Sequence, residues 1–257
     1  MDLVQMGGST VLLGDIGGNR IAGGFGNDVL WGNGGNDVII GNAGNDLLVG
    51  GDGSDTLIGD DGADSFDGGA GNDSIDGGIG DDIFTESAGI DTILGGAGVD
   101  TLVITKTAGT RISLLETHSG DLFYQKIENV TGGLGNDTLF GDSKVNILSG
   151  GAGNDSIYGY KGNDILKGGA GNDFIVGEEG NDIIGGGDGE ANGVEVTQLA
   201  HQNHIWVFTQ RRTQGIGKAQ RVSAQLALLN QALLGHMHKL NWVLDGDDVL
   251  GLCLVQR

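Results

Sequence analysis

The sequence predicts an all-β chain built as a solenoid, in which short strands stack on one another through tight glycine-rich turns. Three observations carry this. The chain repeats itself in nines over most of its length, and one apolar residue recurs at a fixed place in each nine, as expected of a short strand lining a narrow core. In addition, 54 of the 257 residues are Gly and none is Pro. Collagen would need abundant Pro with Gly at every third position, and a flexible linker would lack regularly placed Leu, Ile and Val.

The first thirteen residues (1–13) read as a cap or a truncated repeat. A weak copy, GDIGGNRIA, starts at Gly14, and from Gly23 nine strong copies follow: GGFGNDVLW, GNGGNDVII, GNAGNDLLV, GGDGSDTLI, GDDGADSFD, GGAGNDSID, GGIGDDIFT, ESAGIDTIL and GGAGVDTLV. This first array covers 14–103. Residues 104–131 break the glycine rhythm; TRISLL and LFYQKIENV within them read as strands joined by a turn at His118 to Asp121. A second array, 132–189, resumes with GGLGNDTLF, GDSKVNILS, GGAGNDSIY, GYKGNDILK, GGAGNDFIV and GEEGNDIIG. The octapeptide GGAGNDSI stands at 68–75 and again at 150–157. The offset between the two copies is nine nines plus one, so the segment between the arrays resets the register.

Each position in the nine has a physical task. Position 8 is apolar in all fifteen strong copies and is the predicted core. Gly at positions 1, 2 and 4 suits a backbone with φ > 0, and Asn at position 5 tolerates the same region, which predicts a six-residue turn. Position 6 is Asp in fourteen of fifteen copies, Asn146 being the exception. Turn chemistry alone would accept Asn, Ser or Gly there equally well, so a uniform carboxylate points to a cation.

The pattern GGxGxDxUx over residues 14–189 resembles the RTX (haemolysin-type) calcium-binding repeat family, and the IENVTGG run at Ile127 to Gly133 matches an interruption common in it. The resemblance implies a right-handed parallel β-roll in two stacked arrays, with two nonapeptides per coil and several Ca2+ ions held between turns stacked on one side. It implies that the metal ligands are Asp28, Asp37, Asp46, Asp55, Asp64, Asp73, Asp82, Asp91, Asp100, Asp137, Asp155, Asp164, Asp173 and Asp182, acting in pairs two repeats apart, with Asn146 facing Asp164 a weaker site. Calcium chemistry agrees: the ion takes six to eight oxygens from carboxylates and carbonyls at about 2.3–2.6 Å, whereas magnesium holds its water and demands a strict octahedron. The family also implies a secreted, extracellular setting reached by type I export.

The charge fits a cation ligand. Residues 1–189 hold 7 Lys+Arg against 30 Asp+Glu, a balance that repels nucleic acid and anionic membranes. A single Cys253 gives no disulfide framework within one chain, no apolar run is long enough to span a bilayer, and MDLVQMGGSTVLLG has neither the basic nor the apolar region of a cleaved signal.

Residues 190–257 read as a small α/β tail. VSAQLALLNQALL places Val222, Leu226, Leu229 and Leu233 on one helical face, and LNWVL with VLGLCLV suggests a hairpin. His201 with His204, and His236 with His238, lack carboxylates or thiols spaced to complete a zinc site; His118 and Arg111 read as surface residues. No HExxH, GxSxG or GxxxxGK[ST] is present, so the chain is read as no enzyme. Two alternatives stay open: a fragment of a larger RTX enzyme or toxin (protease, lipase, epimerase), and a cell-surface adhesion module that binds a cell or polysaccharide partner.

Overall fold

The computed structural model describes residues 1–86, 88–115 and 123–188, together with the strand segments 195–196, 206–210 and 249–251. The described secondary structure is strand and turn, with no helix. Successive strands in the repeats alternate between two parallel sheets, so each pairs with the next strand but one, two nonapeptides away, as in Ile39 with Leu57 and Leu48 with Phe66. Two nonapeptides therefore make one coil. A twelve-stranded sheet runs through both arrays, and the opposite flank is formed first by a seven-stranded and then by a five-stranded sheet.

The core is the position-8 column. All fifteen predicted residues are buried, together with Ile21 of the weak copy and Ile112, Tyr124, Ile127 and Val130 of the interruption. Phe66 and Phe84, in adjacent coils, stack with ring centroids 5.0 Å apart. Burial of one apolar side chain per nonapeptide is a thin core, and parallel pairing supplies the rest of the order.

Two details of the predicted turn are corrected. The strands are longer than the turn prediction allows: Val38–Ala43 and Leu47–Asp52 run through position 3 of the next repeat, because the backbone there pairs in register with the adjacent coil. The turn proper is thus positions 4 to 6. Positive φ falls at positions 2 and 4, as at Gly51 (110°) and Gly53 (146°), and not at position 1 or at Asn in position 5. Five non-Gly residues at position 2 still adopt the left-handed region, Asn33, Asn42, Asp60, Tyr160 and Glu178, whereas Asp142 does not. Glu178, at φ 65°, carries a left-handed cost of about 1–2 kcal/mol against about 0.5–1 kcal/mol of entropy that Gly would lose. Glu178→Gly is expected to stabilise the calcium-saturated chain by a net of about 0.5–1 kcal/mol, read as a raised thermal midpoint.

The interruption explains the shifted register. In the through-running sheet Leu102 sits on Phe84, and Leu148 on Val130, at the usual spacing of two nonapeptides, whereas Val130 sits on Leu102 at three nonapeptides plus one. The excess is one nonapeptide plus one, which accounts for the offset between the two copies of GGAGNDSI. On the other flank Phe123–Gln125 closes the first sheet by pairing with Thr92–Leu94, while Arg111–Ser113 opens the second by pairing with Thr138–Phe140. Exposed Arg111 lies over the Phe140 ring, 4.6 Å from its centroid. The turn expected at His118 to Asp121, the helix expected at 222–233 and all four tail histidines lie outside the described residues. Val249–Gly251 runs antiparallel to Trp206–Gln210; LNWVL, its expected hairpin partner, also lies outside them.

Candidate calcium turns

Each strong nonapeptide buries an apolar side chain at position 8 and, in all but one, a carboxylate at position 6. The fourteen predicted Asp residues and Asn146 are all almost fully inaccessible. They project from the end of the turn, just before the strand, and stack in columns up each edge of the roll. The column entering the through-running sheet holds Asp28, Asp46, Asp64, Asp82 and Asp100, then Asn146, Asp164 and Asp182. The opposite edge holds Asp37, Asp55, Asp73 and Asp91 in the first array and Asp137, Asp155 and Asp173 in the second.

All ten Asp pairs expected two repeats apart are brought together, through one carboxylate oxygen and one backbone amide. Asp28 donates its N–H to Asp46 Oδ1 at 2.7 Å, Asp46 to Asp64 Oδ1 at 2.7 Å and Asp64 to Asp82 Oδ1 at 2.8 Å. Asp37, Asp55, Asp73 and Asp82 donate likewise to Asp55, Asp73, Asp91 and Asp100. In the second array Asp137, Asp155 and Asp164 donate to Asp155, Asp173 and Asp182, and Asn146 donates to Asp164. The ladder reaches one coil before the strong repeats: Thr10 N–H binds Asp28 Oδ1 and Asn19 N–H binds Asp37 Oδ1, each at 2.7 Å.

The second carboxylate oxygen has no such partner. Among the described residues, Oδ2 of Asp28, Asp37, Asp46, Asp55, Asp64, Asp73, Asp82, Asp100, Asp155, Asp164 and Asp173 is buried without a hydrogen bond. A buried, unpaired carboxylate oxygen is costly, and eleven of them along the columns call for compensation by a cation or a proton. Each lies over the position-1 Gly of its own turn. A Cβ on Gly41 would overlap Asp46 Oδ2 and stand 3.0 Å from Gly59 O, and one on Gly59 would overlap Asp64 Oδ2 and stand 2.5 Å from Gly77 O. Position 1 is therefore Gly because the space above it is lined by a carboxylate oxygen and the carbonyl of the next coil. Among the described residues no three His, Cys, Asp or Glu side chains cluster as a metal site; an ion at these turns would need backbone carbonyls to complete its shell, a ligand type that calcium accepts.

The electrostatics agree. Burial pushes the carboxyls of Asp64 and Asp164 up to about 7, and those of Asp55, Asp100 and Asp155 up to about 6, against the opposing pull of the amide each accepts. Asp37, Asp46, Asp73, Asp82, Asp173 and Asp182 are raised for the same reason.

Some predicted residues differ. Asp137 Oδ2 already accepts the Gly133 N–H at 2.8 Å and its Oδ1 that of Thr110 at 2.7 Å. Asp91 meets the carboxyl of Glu86, and burial with the Glu86 charge holds it at about 7. Asn146 is satisfied on both sides, accepting from Asp142 N–H and donating to Glu128 O. Three features lie beyond the reading of the sequence. Glu128 takes the carboxylate's place between Asp100 and Asn146, accepting the Asp100 N–H at 3.1 Å. Glu86 stands at position 1 of ESAGIDTIL, where the other strong copies have Gly, an anomaly visible in the alignment of repeats. The position-5 Asn forms its own ladder, in which Asn27, Asn36, Asn45 and Asn72 each accept the N–H of the matching residue one coil later.

Residues 13–48, 49–84, 87–103, 131–166 and 158–190 match the family model described as the RTX calcium-binding nonapeptide repeat. No curated protein matches the chain in sequence. With more than half of its residues inside that model, and with coils of two nonapeptides stacked in parallel sheets, the chain belongs to the RTX calcium-binding nonapeptide repeat family and is a calcium-binding β-roll.

Proposed function

We propose that the chain is a structural module that folds as calcium enters its turns, and that it works outside the cell. The observation that carries the reading is the column of buried Oδ2 atoms over the position-1 glycines, where most of these glycines also face a carbonyl of the next coil. An ion held between Asp64 Oδ2 and Gly77 O ties one coil to the next, so the roll is completed by the metal. Sites built from one carboxylate and neutral carbonyls have the low ligand charge of weak extracellular modules, with affinities of about 0.1–1 mM. At resting cytosolic calcium such sites stay empty, which supports folding after export. The catalytic motifs sought in the sequence do not occur in it, which supports a binding module rather than an enzyme.

The test compares an interior lesion with a terminal one. Asp64 accepts the Asp46 amide and donates to Asp82, both carboxylate-bearing neighbours, whereas Asp28 accepts from Thr10. Asp64→Ala is expected to lower calcium stoichiometry and cooperativity more than Asp28→Ala, because coils couple to nearest neighbours and an interior break splits the array. Equal titration curves for both variants and the parent, followed by calorimetry, would remove these Asp residues from the calcium sites.

A further inference from the structure

The fifteen strong repeats lose their position-1 Gly once, at Glu86, and their position-6 Asp once, at Asn146, and at or next to each of these turns a lysine meets a glutamate. At the first, Glu86 replaces the position-1 Gly. Its carboxylate is wholly buried, Lys106 Nζ binds Oε1, and the Tyr124 hydroxyl donates to Oε2 at 3.0 Å. Glu86 carries a Cβ at the position where Gly77 leaves room for Asp82 Oδ2 and Gly95 O, and the Asp91 carboxyl bonds to Glu86 instead of presenting an orphaned oxygen. At the second, Glu128 stands in the carboxylate column between the arrays, and its Oε1 accepts from Lys144 Nζ at 3.0 Å while Oε2 accepts the Asp100 amide. The next member of that column is the neutral Asn146, whose side-chain oxygen accepts the Asp142 N–H and whose side-chain nitrogen donates to Glu128 O.

At the first turn the ammonium is bonded to Glu86, which in turn bonds the Asp91 carboxyl of the column, and at the second it is bonded to Glu128, the column's own carboxylate. Both border the interruption, since Lys106 and Glu128 lie within 104–131 and Lys144 in the first irregular repeat after it. A third pair, Lys161 with Glu179 at 3.1 Å, is different: both side chains are about two-thirds exposed (65% and 66%), and it lies outside the carboxylate columns.

We propose that Lys106 and Lys144 are the resident cations of these two turns, so that calcium loads the arrays as separate blocks on either side of a calcium-free seam. The seam carries its own positive charge and is neutralised at any calcium concentration. The inference rests on reading the regular turns as calcium sites.

The experiment counts bound calcium per chain by equilibrium dialysis at saturating calcium for the full chain and four variants. Lys106→Met and Lys144→Met each strip the cation from a turn carboxylate and are expected to bind one more calcium than the parent. The double variant Glu86→Gly with Lys106→Met restores a regular GSAGID turn and is expected to gain one ion as well, which guards against a fold defect from a bare buried glutamate. Lys161→Met is expected to match the parent. If the parent binds calcium and none of the three seam variants gains an ion, the lysines do not stand in for calcium and the proposal falls, with the regular sites intact. If the parent binds no calcium at all, the reading of the regular turns falls with it.

Discussion

In excess chelator at about neutral pH the chain is expected to lose most of its β-sheet circular dichroism, and acidification to about pH 4.5 is expected to restore part of it. The first half follows from charge and core size. Each coil buries two apolar side chains and two carboxylates, too little apolar area to offset about 1–2 kcal/mol of backbone entropy per residue while like charges repel along each column. The second half follows from proton linkage. The folded-state values of Asp55, Asp64, Asp100, Asp155 and Asp164 lie at about 6 to 7, above about 3.9 for an unfolded Asp. Between these limits the ion-free roll binds more protons than the unfolded chain, so its stability rises as pH falls from about 7 toward about 4. With calcium present the sign reverses, because protons compete with the metal for the same oxygens. The calcium midpoint should therefore rise on acidification while the chelator-treated chain regains structure. Full β content in chelator at neutral pH would show that the roll folds without the ion.

Gly59→Ala is expected to be among the most damaging single methyl additions, and Gly34→Ala to be nearly silent. A Cβ on Gly59 would overlap Asp64 Oδ2, stand 2.5 Å from Gly77 O and press on the Phe66 ring at 2.8 Å, whereas one on Gly34 meets nothing nearer than 3.8 Å. Neither residue has positive φ, so the contrast isolates space from backbone conformation. Overpacking of this kind costs about 1–3 kcal/mol, which corresponds to a calcium midpoint raised roughly fivefold to a hundredfold, since the methyl enters the space lined by the carboxylate and carbonyl oxygens. Calorimetric titration of the two variants decides it; identical midpoints would mean that position 1 is Gly for some other reason.

Much of this is legible because the repeat states the same physics fifteen times. Position 8 and the pairing two repeats apart follow from periodicity and from the family resemblance, and the buried column from Leu30 to Ile184 matches residue for residue. The differences concern what a one-dimensional pattern cannot separate. Gly at positions 1 and 2 looks alike in sequence, yet Gly50 makes room for a carboxylate while Gly51 turns the chain at φ 110°. Asn at position 5 reads as a turn former, but its side chain works one coil away. Glu86 and Glu128 are illegible as ligands of the columns because each breaks the repeat, and their meaning depends on Lys106 and Lys144 arriving from elsewhere in the chain.

The two side-chain ladders run between the same pairs of coils but in opposite senses, and this makes the stack directional. Asp46 reaches back to the amide of Asp28, while Asn27 accepts the amide of Asn45. A cut between two coils would leave one surface with backbone donors at position 6 and amide acceptors at position 5, and the other with the reverse set. Any such trailing face is the mate of any such leading face, in the manner of identical tiles with a plug and a socket. Within a regular array, excision or duplication of one two-repeat unit therefore rejoins matching surfaces, which gives this architecture a natural quantum for lengthening and shortening.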